Sequence, residues 1–277
     1  MNPACLQYRL TDEERRTFND TGLLVIEDAL APSHVAALTE ATDMIYKRQL
    51  AAGHDPSKAL FYPNFIPDDP LFGDLVDYER ILPKVWGVLG WNIYLYHAHM
   101  IVTPPSGKAV DDKTFGWHQD SGRMNAEMES HPRPRMSFKV AYFLSDTSVA
   151  GHGNFWVVPN SHLNDTQALP VDGAGQPAGA VPVLAKPGTA VFFDRRLWHA
   201  ASPNASDVTR KVLFYGYGYR WIRTKDDMTV RDLWPTSAPI RRQLLGDGLN
   251  ANGYYSPTDG DVPLRVWLRE HSAADAG

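Results

Sequence analysis

The chain has 277 residues, of which 43% are hydrophobic and 21% charged, with a net charge of −5. That is enough apolar material for a sizeable core, and no basic block stands out, which argues against nucleic acid or an anionic membrane surface as a partner. The single cysteine, Cys5, excludes an internal disulfide and a cysteine-rich zinc cluster; with no apolar signal core and no run of ~18 apolar residues, the expectation is a reduced, cytoplasmic protein.

Residues 1–90 read as mainly helical. Thr11 and Glu14 in "LTDEERRTFNDTG" form a capping-box pattern, and Gly22 is placed to end that helix. "LLVIEDAL" follows as a short strand. A second helix is expected over "APSHVAALTEATDMIYKRQLAAG", with Val35, Leu38, Ile45 and Leu50 on one side. "LVDYERILPKVWGVLG" reads as a third helix, interrupted near Pro83. From about Trp91 the character changes. "NIYLYHAHMIV", "SFKVAYFLS", "NFWVVP", "AVPVLA", "TAVFFD" and "KVLFYGYGYRW" are short runs rich in β-branched and aromatic residues, separated by Pro, Gly, Asn and Ser turns. Such spacing predicts a sandwich or barrel core over about 91–221. The loop Asp172–Ala180 carries a flexible composition. Residues 222–277 lean helical again, in "DDMTVRDLW", "PIRRQLLGDG" and "PLRVWLREH". One domain is expected, mainly β with helices at both ends.

The stretch "GWHQDSGR" contains His118-Gln119-Asp120. Alone, a His-x-Asp pair is weak evidence, and a polar turn explains it as well. A non-haem Fe(II) centre that activates oxygen needs two imidazoles and one carboxylate on one face, leaving the other face open. Residues i and i+2 of a strand point the same way, so one strand end can supply two of the three ligands. His199, in "FFDRRLWHAASPN", lies between two strand-like runs and is the best third ligand. Arg210, eleven residues later, opens the strand "KVLFYGYGY"; its planar fork suits a bidentate carboxylate contact.

His-x-Asp, a distal His about eighty residues on and Arg at +11 together resemble the phytanoyl-CoA dioxygenase family. The flanks agree: "NFWVVPNSH" is similar to the family's "G-x-L-x-x-x-P-G-S-H", with Asn160 in place of the glycine, and "KPGTAVFFDRRLWHAASPN" is similar to the segment carrying the distal histidine. "YHAHMIVTPP" resembles the strand before the metal turn. The resemblance spans about 11–221. It implies a double-stranded β-helix (jelly roll), Fe(II), 2-oxoglutarate as cosubstrate, and O2. It implies His118, Asp120 and His199 as iron ligands and Arg210 as the partner of the distal 2-oxoglutarate carboxylate. In part of the family a glutamine on the preceding strand also contacts 2-oxoglutarate; counting back from Pro104, His97 takes the matching place. Some members carry a cosubstrate-binding serine two residues after the distal histidine, where this chain has Ala201. The presence of Asp120, where related halogenases have a small residue, implies oxygen chemistry.

The expected substrate is a small molecule, either a metabolite or a natural-product scaffold, since no patch for a CoA phosphate is evident. Hydroxylation is the expected outcome, with epimerisation, ring closure or desaturation at the same iron as alternatives. Trp117 flanks the proposed ligands and either packs or shapes the pocket. Arg123, Met124 and Asn125 open a polar segment that reads as a solvated loop or as an active-site lid. Lys139 alternates with Ser137, Ala141 and Phe143, and is either an exposed lysine or a pocket cation. Two further readings stay open: a cupin-like metal enzyme without 2-oxoglutarate, and a non-catalytic ligand-binding jelly roll.

Overall fold

A computed structural model describes residues 1–107, 115–164, 175–225, 227, 230–248, 257–275 and 277. The start of the Asp172–Ala180 loop, and Asp226, Met228 and Thr229 of "DDMTVRDLW", lie outside them. The chain divides into two compact units. One comprises Met1–Arg15, Pro63–His99 and Tyr215–Gly277; the other comprises Arg16–Tyr62 and Met100–Phe214.

The second unit is the β core. Helix α1 (Asp12–Thr21) ends at Gly22, whose φ of 75° only glycine adopts readily and whose N–H donates to the Phe18 carbonyl at 2.9 Å. Strand β1 (Leu23–Ile26) follows. Helix α2 (Pro32–Ala51) takes Pro32 in its first turn, where a missing N–H costs nothing. It buries Val35, Leu38, Thr42 and Ile45 at helical spacing. Strand β2 (Leu60–Pro63), not foreseen from the sequence, is a short run whose alternation is too brief to show.

The remaining strands are β3 (Ile93–Thr103), β4 (Ser137–Phe143), β5 (Phe155–Val157), β6 (Val181–Val183), β7 (Ala190–Asp194), β8 (His199–Ala201) and β9 (Arg210–Tyr219). The larger sheet has the order β1-β7-β4-β9-β3-β2 and the smaller β6-β5-β8. β4 and β7 pair antiparallel, with Lys139 opposite Phe193 and Ala141 opposite Val191. β5 pairs antiparallel with β8, placing Val157 opposite His199. Ala141, Phe143, Val191, Phe193, Val212 and Phe214 of the larger sheet share one apolar core with Phe155, Val157 and Val183 of the smaller. This is the two-sheet interior of a jelly roll. The other face of β4 is apolar too: Phe138 stacks on Phe192 at 5.6 Å and meets the edge of Phe18, from α1, at 5.7 Å. A strand buried on both faces explains why β4 reads as a nearly continuous apolar run.

The first unit is largely helical. Thr11 and Glu14 close the expected capping box, with hydrogen bonds of 2.9 and 3.2 Å, and Glu14 also pairs with Lys84 at 2.7 Å. Of the interrupted helix expected over "LVDYERILPKVWGVLG", only the second part is helical, as α4 (Leu82–Leu89); the short α3 (Pro70–Asp74) precedes that stretch. Pro83 stands in the first turn of α4, so it begins a helix where an interruption was expected. Tyr215 and Tyr217, on the distal half of β9, donate to the carbonyls of Phe72 and Val76 at 2.9 and 2.8 Å. α6 (Pro239–Leu244) and α7 (Pro263–His271) form the helical end of the chain, preceded by a short 3-10 segment, Arg231–Thr236. Among the described residues no helix is long and apolar enough to cross a membrane.

Candidate metal centre

Two segments of the β core meet at the site. One is the turn Gly116–Ser121; the other runs from the end of β7 through Asp194, Arg195 and Arg196 into β8. They are joined by one antiparallel bridge in which the His118 N–H donates to the His199 carbonyl at 3.0 Å and the reverse bond is 2.9 Å. Directly opposed residues of an antiparallel pair project side chains to the same face. The two imidazoles accordingly approach to 4.3 Å between ring centroids. Asp120 joins them from two residues on. Each of the three residues offers a ligand atom, and these atoms lie within 4.8 Å of one another. Ser121 then takes a left-handed φ of 55° and turns the chain into a short helix, α5 (Gly122–Glu127).

Both histidines are held by the same device. His118 Nδ1 lies 2.9 Å from the Gly116 carbonyl and His199 Nδ1 lies 2.8 Å from the Leu197 carbonyl. A carbonyl only accepts, so each Nδ1 carries the proton, and each Nε2 keeps its lone pair toward the cluster. Burial pushes the His199 pKa down to about 3, outweighing the attraction of Asp120, so this ring is neutral at physiological pH. His118 is exposed and the other two are buried, which opens the cluster on the His118 side. Two imidazoles and a carboxylate on one face are a donor set that fits Fe(II).

Asp120 is met by Lys139, whose ammonium donates to Oδ1 at 2.9 Å and lies 2.9 Å from Oδ2. Both side chains are about 5% exposed. The exposed-lysine reading is therefore overturned: β4 is covered on both faces, and the alternation that groups Lys139 with Ala141 and Phe143 turns it inward.

Arg210 opens β9 on the face of Val212 and Phe214. Its guanidinium is buried, and burial alone pushes its pKa down to about 10. Among the described residues it makes no ion pair, and its Nε has no hydrogen-bond partner. Its neighbours are the Phe143 ring, 5.8 Å from the guanidinium carbon, and Gly153, where any Cβ would stand 3.0 Å from Arg210 Cδ. A buried cation without a counter-charge costs several kcal/mol, on the order of the ~3–5 kcal/mol lost when a buried pair is broken. A carboxylate ligand would supply a counter-charge in the planar geometry that arginine prefers.

The other candidates separate. Trp117 is buried and stacks on Phe115 at 6.0 Å, in a cluster with Val158 and Ala200. Asn125 is buried and contacts Gln119 and the Asp120 carbonyl at 3.2 and 3.3 Å, which fixes α5 to the turn. Met124 is half-buried beside it. Arg123 departs from the pocket-lining expectation: it is exposed and pairs with Glu127 one turn on, at 2.6 Å. The i,i+4 spacing draws it along the outside of α5. His97 is buried on β3, in the other unit, and stacks on His99 at 4.6 Å. Asn160 has a φ of 68°, a conformation that asparagine tolerates and that explains its standing where the family pattern has glycine.

Sequence reasoning missed the network behind the ligands. Asp194 is fully buried; Arg196 grips it through two nitrogens at 2.8 and 2.7 Å and Arg135 through one at 2.8 Å. Burial raises the Asp194 pKa, but the two guanidinium groups outweigh it and hold the carboxyl at about 2. Arg195 donates to Asn125 and, at 3.1 Å, to the Pro134 carbonyl; Arg196 also donates to the Arg133 carbonyl. Gln119 donates to the Arg196 carbonyl. The segment after the turn at His118–Asp120 is thus pinned to the loop that delivers His199. The only sequence signal was the charge density of "DRR" next to an apolar strand.

Comparison with known proteins places this geometry. The family described as "Phytanoyl-CoA dioxygenase (PhyH)" matches residues 18–212. The uncharacterized protein Rv1501 of Mycobacterium tuberculosis is 25% identical, covering 90% of this chain and 92% of its own length. An ectoine dioxygenase of Bordetella parapertussis is 23% identical, covering 75% of each chain. Among solved structures, HygX of Streptomyces hygroscopicus, with nickel and 2-oxoglutarate bound, superposes with a TM-score of 0.61 at 18% identity, over 78% of this chain and 90% of its own.

Proposed function

The chain belongs to the phytanoyl-CoA dioxygenase family of Fe(II)- and 2-oxoglutarate-dependent oxygenases, and we propose that it hydroxylates an unactivated C–H bond of a small molecule, with His118, Asp120 and His199 as iron ligands and Arg210 as the anchor for 2-oxoglutarate. The enzyme class is that of non-haem iron dioxygenases, which use Fe(II), 2-oxoglutarate and O2. Together these supply the oxidation: 2-oxoglutarate loses CO2 and becomes succinate, one oxygen atom entering succinate and the other the substrate. The protein's own part is binding, orientation and charge.

The observation that carries the reading is the pairing of two features in one unit: three ligand atoms within 4.8 Å and a buried guanidinium with no counter-charge among the described residues. His118 and His199 present Nε2 lone pairs because their Nδ1 protons are committed to backbone carbonyls. Arg210 takes the distal carboxylate, and the apolar walls of Phe143, Val212 and Phe214 keep water from competing for it. In this reading substrate enters on the exposed His118 side, with half-buried Met124 after the turn at its edge. A natural-product or small-metabolite scaffold is the substrate class, consistent with relatives that bear small-molecule dioxygenase names.

The test is oxygen uptake and succinate formation with Fe(II) and 2-oxoglutarate. His118→Ala and Asp120→Ala are expected to lower both by roughly 10²-fold or more, since removing even an outer-shell partner of a metal ligand typically costs 10–100-fold. Undiminished metal binding and turnover in both variants contradict the assignment.

A further inference from the structure

We infer that Lys139 is a positioning residue of the iron centre, holding the Asp120 carboxylate so that only one of its oxygens is left for the metal. This rests on the reading that His118, Asp120 and His199 hold iron.

Three observations carry it. The ammonium lies 2.9 Å from each carboxylate oxygen, and its hydrogen bond goes to Oδ1. It cannot be pushed aside easily: its stem belongs to β4, between β7 and β9, and its head lies 5.9 Å from the centroid of the Phe193 ring. That ring also packs on His199, at 5.1 Å between centroids. Lysine, carboxylate, phenylalanine and histidine therefore form one packed group, and a metal entering it has to share Asp120 with the ammonium.

Chemistry gives the arrangement a purpose. A centre of this class must keep positions open for a chelating 2-oxo acid and for oxygen, beyond its three protein ligands. A carboxylate whose two oxygens both bind the metal takes one of those positions. In the metal-free protein the lysine supplies the counter-charge that a buried carboxylate needs; once a metal binds, the same ammonium competes with it for the carboxylate. The cation weakens metal binding and, by occupying one oxygen, protects the chelate position.

Anaerobic titrations with Co(II), then with 2-oxoglutarate, test this through the Co(II) visible absorption, whose intensity reports coordination number, and through calorimetry for 2-oxoglutarate. Lys139→Met is expected to bind Co(II) at least as tightly as wild type, to change the Co(II) spectrum before 2-oxoglutarate is added, and to bind 2-oxoglutarate at least about tenfold more weakly. Lys139→Arg, which still reaches Asp120 with a charged donor, is expected to retain the wild-type spectrum and affinity. If Lys139→Met does not fold, Lys139→Gln, whose shorter side chain does not span to Asp120, serves in its place. A neutral variant with the wild-type spectrum and 2-oxoglutarate affinity overturns the inference. Wild-type protein that fails to bind Co(II) overturns the ligand assignment instead.

Discussion

Gln243, in the helical unit, and Arg210, in the β core, are both buried and polar, and they end differently. Gln243 donates to the carbonyls of Trp91 and Ile93 at 2.9 and 3.1 Å and accepts from the Leu264 N–H at 3.0 Å. Tyr215, Tyr217 and Arg241 in the same unit likewise close on carbonyls or carboxylates. Each such group ties one part of the unit to another. Arg210 closes on no acid among the described residues, and the Nε2 atoms of His118 and His199 converge on Asp120 while their Nδ1 atoms are already spent. On the proposed reading, the difference separates polar groups buried to build the fold from polar groups buried to receive a ligand.

Asp194 sits between these cases and sharpens them. It belongs to the β core but is fully closed on Arg135 and Arg196. Asp194→Asn is expected to cost about 3–5 kcal/mol of stability at neutral pH, because it strands two cations next to a buried site. Its pKa of about 2 is below the ordinary 3.8, so its stabilisation is complete above pH 3.8 and is lost as pH falls toward 2. Thermal melts from pH 6 to 2 are expected to show that loss in wild type and not in Asp194→Asn. If Asp194→Asn melts like wild type at neutral pH, the network is not what pins the loop before His199.

Gln243→Ala gives a smaller effect in the other unit. Losing its bonds to two carbonyls and an N–H is expected to cost about 1–3 kcal/mol by chemical denaturation, while 2-oxoglutarate affinity stays at the wild-type value. A drop in that affinity comparable to the effect of changing Arg210 erases the distinction between the two kinds of burial.

Much of the site was legible in the sequence because its chemistry depends on residue type and spacing. His118, Asp120, His199 and Arg210 are few, specific and embedded in strand-like flanks. The capping box at Thr11 and the strands from β3 onward, except the three-residue β8, were legible because hydrophobic periodicity and cap chemistry are local. What stayed hidden depends on tertiary contacts. Pro83 reads equally as a break or as a first-turn residue until the preceding chain is seen. "DRR" reads as a polar loop until the segment around Asn125, Arg133 and Pro134 folds over it. Lys139 reads as exposed or buried with equal ease, because strand alternation says which residues share a face and not which face is covered. Arg123 lies close in sequence to the metal turn, yet its i,i+4 partner Glu127 turns it outward.

Arg210 tests the central claim most directly. Fe(II)-loaded protein is titrated anaerobically with 2-oxoglutarate, and the weak visible charge-transfer band of the chelate is followed in wild type and in Arg210→Met. Wild type is expected to develop the band, and Arg210→Met to need roughly 10²-fold more 2-oxoglutarate, in the range for removing one partner of a buried charged contact. The metal-free variant is expected to be no less stable than wild type, since it loses a buried cation that has no counter-charge among the described residues. Equal 2-oxoglutarate affinity in the two proteins, or no band in wild type, contradicts the account.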